Sequence, residues 1–292
     1  MIVETDSLQS ANDAALTDVV VAVDDNPPTS RALATATQIA RRLGLPLHLV
    51  TVHRPNGSGA EYSARRALVD EVRQRLIASR PDLEPHVDAR VLVGDRIACP
   101  ICEEYPTAIV VMGADGVARR SGSEARSTEQ ELARQAHHHP VIVVGPATDP
   151  EWRPGPVVVA LDGSPVAESA LADAIHWATA IGVTLEIIQI VPPALSALPL
   201  DAVCSPYLRA VQRQLARDAI PVNCRTIVSD DTAGAIAHYL RDHGCSMVVM
   251  TTHGHRDGQR EAFASITMGV LAQSPCPVRV VRPHTVLQPI LA

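Results

Sequence analysis

Continuous apolar runs alternate along the chain with stretches whose apolar residues recur at helical spacing. Residues 19–24 are an apolar run closing on a carboxylate, the pattern of a strand covered on both faces. Residues 29–43 follow, with Leu33, Ala36, Ala40 and Leu43 spaced for one helix face. The spacing then predicts strands over 45–52, 87–93, 108–113 and 140–144. Between them it predicts helices over 64–77 (Leu68, Val72 and Leu76 on one stripe), 97–105 and 128–136. Later in the chain, strands are expected near 156–162, 184–191, 222–228, 246–251 and 277–282. Helices are expected near 166–181, 206–218, 232–243 and 266–274, and the Pro/Ala/Leu-rich stretch 192–200 reads as a loop or lid.

The second list repeats the first. Asp24 and Asp162 are 138 residues apart (162 − 24), and so are Gly116 and Gly254 (254 − 116). An offset held across so long a stretch is the mark of two copies of one domain. The expected organisation is a polar, mobile tail over 1–17, a first domain over 18–146, a linker over 147–155, a second domain over 156–284 and a tail over 285–292. Four prolines and two glycines within 145–156 suit the linker. Five strands alternating with helices in each copy make an α/β fold with a five-stranded parallel sheet and helices on both faces. Ligands in such sheets bind beyond the carboxyl ends of the strands, which directs attention to Asp24, Gly113, Asp162 and Thr251.

Composition narrows the function. Apolar residues are 46% of the 292, enough for a core in each half, while aromatics are 2%, too few for a platform that stacks single-stranded nucleic acid. A net charge of −7 gives no general attraction to nucleic acid or to an anionic membrane. Residues 1–17 have neither the basic nor the apolar region of a signal peptide, and no apolar run is long enough to span a bilayer. A cytoplasmic protein with six reduced cysteines is therefore expected.

Two constellations carry candidate chemistry. The first is the carboxylate after strand one, in Val-Ala-Val-Asp24-Asp-Asn-Pro and Val-Ala-Leu-Asp162-Gly-Ser-Pro. It can accept from a ribose hydroxyl or an adenine amine, or it can cap a helix or brace a turn. The second is the loop after strand four. It reads Gly113-Ala-Asp-Gly116, nine residues, Arg126-Ser127 in the first copy, and Thr251-Thr-His-Gly254, nine residues, Ala264-Ser265 in the second. Small residues admit a phosphate close to the backbone, and a following helix N-terminus offers free N–H groups. The same pattern also fits a βα loop with a serine cap. His253, His255 and Arg256 add local positive charge in the second copy.

Three further features carry less. Cys99-Pro-Ile-Cys102 has the spacing of a redox dithiol, but the second copy has no thiol pair there. The run His137-His138-His139 lacks an obvious carboxylate partner and reads as an exposed turn, so no metal site is expected. Ser164 lies in no Gly-x-Ser-x-Gly elbow.

These features resemble the universal stress protein family, in its tandem two-domain form. The most specific residues are the second copy's Val-Ala-Leu-Asp-Gly-Ser-Pro-Val-Ala-Glu-Ser-Ala-Leu, its Val-Val-Met-Thr-Thr-His-Gly, and the closing Ser-Pro-Cys-Pro-Val-Arg-Val-Val-Arg-Pro. The resemblance implies a Rossmann-like sheet of strand order 3-2-1-4-5 in each domain. For one branch of the family it implies ATP, with Mg²⁺, bound through Gly, two residues, Gly, nine residues, Gly, then Ser or Thr. Carried over, the first copy keeps Gly113, Gly116 and Ser127 and has Arg126 at the third glycine. The second keeps Gly254 and Ser265 and has Thr251 and Ala264 at the others. The family's adenine pocket also uses backbone groups at the end of strand two, here Val52 and Val191. The implied role is regulatory ATP binding in a stress response, without catalysis, because no general base stands beside the phosphate loop; slow hydrolysis stays open. The resemblance further implies that residues 141–144 and 278–281 pack the copies into a pseudo-dimer, and that chains associate as homodimers with an unidentified protein partner. The alternative is a nucleotide-free interaction scaffold with degenerate loops.

Overall fold

The computed structural model describes residues 16–24, 28–94, 98–114, 140–195, 204–217, 220–251 and 260–281. Gly116, Arg126, Ser127, Gly254, His255, the helix expected over 128–136, the histidine run and both tails lie outside them. The chain divides into two compact units, Met1–Val144 and Gly145–Ala292.

In the first unit the order is β1 (Asp18–Ala22), α1 (Pro28–Leu43), β2 (Leu47–His53), α2 (Gly59–Ser79), a 3₁₀ turn (Pro81–His86), β3 (Val87–Val93), α3 (Ala98–Glu104), β4 (Ala108–Gly113) and β5 (Val141–Val144). β1 pairs with β2 and β4, β2 with β3, and β4 with β5, all parallel. The order is therefore 3-2-1-4-5, as the resemblance implied. β1 is central, and Val19, Val20 and Val21 are fully buried, which explains why it reads as an unbroken apolar run.

The second unit repeats this with β6 (Val157–Ala160), α4 (Pro165–Glu168), α5 (Ala170–Ile181), β7 (Leu185–Val191), a 3₁₀ turn (Pro193–Leu195), α6 (Pro206–Arg217), β8 (Val222–Val228), α7 (Thr232–Asp242), β9 (Met247–Thr251), α8 (Arg260–Gln273) and β10 (Val278–Val281). β6 pairs with β7 and β9, β7 with β8, and β9 with β10, again parallel and again 3-2-1-4-5. The 138-residue offset survives at the level of single bonds. Val23 N donates to Val50 O at 2.7 Å, and Leu161 N donates to Ile188 O at 2.9 Å. Gly44 and Gly182, at the same offset, both stop their helices in the left-handed conformation with φ of 67°.

Three expectations need correction. The buried face of α1 is Ala32, Thr35, Ala36, Ile39 and Ala40, whereas Leu33 and Leu43 are only half-buried. The expected Ala36 and Ala40 are on this face, and Ile39 rather than Leu33 or Leu43 is its large apolar side chain. α2 begins five residues before the expected position because Ser58 and Glu61 form a capping box. Glu61 N donates to Ser58 Oγ at 3.2 Å, and Ser58 N donates to Glu61 Oε2 at 3.0 Å. The single helix expected near 166–181 is two, broken at Ser169, whose hydroxyl donates back to Val166 O at 2.6 Å.

The Pro/Gly-rich segment 145–156 is bonded to the second unit. Asp149 N donates to Pro275 O at 2.9 Å, and Trp152 Nε1 donates to Ser246 O at 2.8 Å. Thr148 Oγ1 accepts from Gly145 N at 3.1 Å. At Gly145 a side chain would strike the Leu271 carbonyl, so only glycine allows this approach.

Candidate functional site

The pairing register brings the expected residues together. In the first unit Ala22 lies beside Val50 and Val21 beside Val111. Carried two residues onward, this sets Asp24 level with Val52 and Val23 level with Gly113. Asp24 is exposed, Val52 and Gly113 are half-buried, and Ala114 is buried with its N–H donating to Val144 O at 2.9 Å. In the second unit Ala160 lies beside Ile188 and Val159 beside Val249. Asp162 is thus level with Ile190, Gly163 with Val191, and Leu161 with Thr251. Each unit therefore gathers a carboxylate, the end of its second strand and the end of its fourth strand at one carboxyl edge.

The turn after β6 shows what Asp162 already does. Its Oδ1 accepts from Ser164 N at 2.8 Å, bracing a turn in which Gly163 takes a φ of 87°. Ser164 then caps α4, its Oγ accepting from Ala167 N at 3.1 Å. The aspartate thus braces the turn, and it employs Oδ1 to do so. Ser164→Ala removes the cap and should lower thermal stability by about 1 kcal/mol. Ser164→Asp should restore most of it, and an alanine variant as stable as the parent protein would contradict the capping role.

Two named positions are out of phase. β2 ends at His53 and β7 at Val191, 138 residues later (191 − 53). The counterpart of Val191 is therefore His53, and that of Val52 is Ile190. Val52 and Val191 consequently stand on opposite faces of their sheets. Ala264 and Ser265 are also displaced from the expected helix start. α8 begins at Arg260, so both fall in its second turn. Only the first N–H groups of a helix are left without an internal partner, and positions 264 and 265 are past them.

Residues not anticipated from the sequence complete the edge. His53 is buried, with a relative exposure of 6%, and its ring meets Tyr62 edge-on at 5.5 Å. Gly57 lies against the same ring, where a side chain would collide with it. Arg65 Nη1 donates to Thr51 Oγ1 at 3.2 Å. In the second unit Tyr207 stands at the start of α6 and donates from its hydroxyl to Glu168 Oε1 at 2.9 Å. Burial, then Glu168 and the nearby charge of Asp162, push this hydroxyl far above the usual tyrosine range, so it remains a donor. The signal was a tyrosine in the first turn of the helix after strand two, in Ser58-Gly-Ala-Glu-Tyr62 and in Ser205-Pro-Tyr207. Low aromatic content concealed it, although two of the four tyrosines stand here.

The other two tyrosines lie toward the amino ends of the strands. Tyr105 packs against His48 with ring centroids 4.6 Å apart, and burial pushes its hydroxyl up to about 12. His48 Nε2 lies 2.8 Å from Asp18 Oδ1. In the second unit Glu186 replaces His48 at the same offset (186 − 48 = 138), and Tyr239 donates to its Oε2 at 2.8 Å. Among the described residues no group of three or more His, Cys, Asp or Glu side chains is arranged to hold a metal ion. No helix of the described residues is long and apolar enough to cross a membrane.

Comparison with known proteins agrees with this architecture. The model of the universal stress protein family matches twice, over residues 16–145 and 155–282. A universal stress protein of Mycobacterium tuberculosis is 25% identical over 288 residues, spanning 90% of this chain and 96% of that protein. The crystal structure of a universal stress protein from Archaeoglobus fulgidus superposes with a TM-score of 0.63 at 17% identity. That match covers 92% of this chain and 99% of that one. A functionally unknown protein from Pseudomonas aeruginosa superposes with a TM-score of 0.58 at 14% identity, covering 96% of this chain and 95% of that one.

Proposed function

The chain belongs to the universal stress protein family, and on that footing we propose that it binds ATP as a regulatory ligand during a stress response, without using it as a substrate. The observation that carries this reading is the shared carboxyl edge, where the register sets Asp24 level with Val52 and one residue past Gly113, and Asp162 level with Ile190 and one residue past Thr251. A carboxylate at that place accepts from the nucleoside, and backbone groups at the end of strand two hold the base. The loop after strand four takes the phosphates, with Mg²⁺ balancing their charge.

The first unit is the better fit. Gly113 has no Cβ where the chain leaves β4 toward the phosphates, whereas Thr251 fills the matching place in the second unit. Gly116, the Ser127 hydroxyl and the Arg126 guanidinium complete the first loop, the arginine standing in for a glycine by placing positive charge on a phosphate. In the second unit Gly254 and His255 are the remaining contributors, because Ala264 and Ser265 lie within α8. That helix position favours a second reading for this unit, a scaffold surface with a phosphate loop that no longer closes.

Calorimetric titration of nucleotide-stripped protein with ATP and Mg²⁺, with AMP as control, tests both. Saturable binding that Gly116→Val weakens and Gly254→Val spares supports the regulatory reading in the first unit. Binding lost only in Gly254→Val would move the site to the second unit. No heat, and no nucleotide carried through purification, would leave the scaffold reading for both.

A further inference from the structure

The four cysteines of the second unit are far apart in sequence, yet the fold brings two of them together. Cys204 lies two residues before the start of α6, and Cys224 lies on β8. Ser205 fixes the approach. Its N–H donates to Thr226 Oγ1 at 2.8 Å, and its hydroxyl donates to Gln189 Oε1 at 2.6 Å. The alternating burial of β8 sets Val222, Cys224 and Thr226 on one face, the face α6 covers. Residue 204 is thereby held over the strand next to residue 224, close enough that each thiol perturbs the ionisation of the other. Both are half-buried, whereas Cys245 and Cys276 are buried at 8% and 4% exposure.

We propose that Cys204 and Cys224 are a redox dithiol that closes to an intramolecular disulfide with low-molecular-weight disulfides such as oxidised glutathione. The Cys204 thiolate attacks one sulfur of the small disulfide, the S–S bond breaks, and one equivalent of thiolate leaves. The Cys224 thiolate then attacks the Cys204 sulfur of the mixed disulfide and displaces the second equivalent. The two protein sulfurs are oxidised by two electrons in total, the small disulfide is reduced to two thiols, and the two protons lost by the cysteines end on those thiols. Cys204 is the attacking sulfur because, although burial raises it, the positive charge of Arg209 works against that rise, while burial pushes Cys224 up to about 12. Burial raises Cys204 as well, so little of it is thiolate at neutral pH and the exchange is slow. Closure ties the entry of α6 to the outer strand of the sheet.

The test treats the folded full-length protein with oxidised glutathione, blocks the remaining thiols by alkylation and maps the digested peptides by mass. The expected map joins the Cys204 peptide to the Cys224 peptide with the loss of two hydrogens. Cys224→Ser should trap glutathione on Cys204, and Cys204→Ser should leave Cys224 reacting at least about tenfold more slowly. The parent-protein map needs no variant. If it shows Cys204 and Cys224 separately glutathionylated, separately alkylated, or joined to other cysteines, the dithiol is overturned. Equal reactivity of Cys224 in the Cys204→Ser variant would overturn the assigned order of attack.

Discussion

Replacing Arg279 by Leu should destabilise the second unit by about 3–5 kcal/mol, more than any other single change considered. Arg279 lies on β10, and its Nη2 meets Asp173 Oδ1 of α5 at 2.8 Å, with side-chain exposures of 6% and 9%. Its Nη1 also donates to Val280 O at 2.7 Å. Coulomb attraction inside a sheet–helix layer offsets the cost of stripping water from both ions only while both are present. Without the arginine, Asp173 must either keep an uncompensated charge or take up a proton in the core. The double variant Asp173→Leu, Arg279→Met removes both charges and should unfold close to the parent protein. Urea unfolding of the full chain, followed by tryptophan fluorescence (Trp152 and Trp177 both lie in the second unit), reads the difference. A single variant that unfolds at the parent midpoint would show that the pair carries no stability. The first unit has no such pair, because Thr35 and Ile142 occupy the matching positions (173 − 138 and 279 − 137).

The second large effect concerns ligand binding. Asp24→Ala should weaken ATP by about 10- to 100-fold, the worth of a hydrogen bond to a charged group. Asp162→Ala should leave that affinity unchanged while costing stability through the lost brace on Ser164 N. Calorimetry on both variants, alongside thermal melts, separates the effects. If Asp162→Ala weakens binding and Asp24→Ala does not, the second unit holds the nucleotide. If neither changes it, the carboxyl edge is not where ATP sits.

Much of the fold was legible because its signals are local and repeated. β1 and β6 are central strands, so both read as continuous apolar runs bounded by turn residues. Strands β3, β4 and β8 coincide with the expected spans to the residue. The start of α2 differs from the apolar pattern for a different reason. A helix start is set by which side chain captures the free N–H groups, and Ser58 and Glu61 outweighed the apolar stripe that begins at Leu68. The candidate edge was legible as a place, through Asp24, Gly113, Asp162 and Thr251. Its walls were not, since in the first unit Tyr62 reaches His53 only once α2 lies across its strand, and in the second unit Tyr207 reaches Glu168 only once α6 is in place.

The sequence by itself determined the tandem repeat, the five-strand alternation in each copy and the carboxyl edge to which ligand chemistry belongs. Periodicity and a constant offset are properties of a chain read along its length. Only tertiary structure decided that Cys204 comes to lie by Cys224 and that Asp173 neutralises Arg279 across 106 residues. Those contacts are made by parallel crossovers, which join residues whose separation is set by connection length and register rather than by any repeating local period.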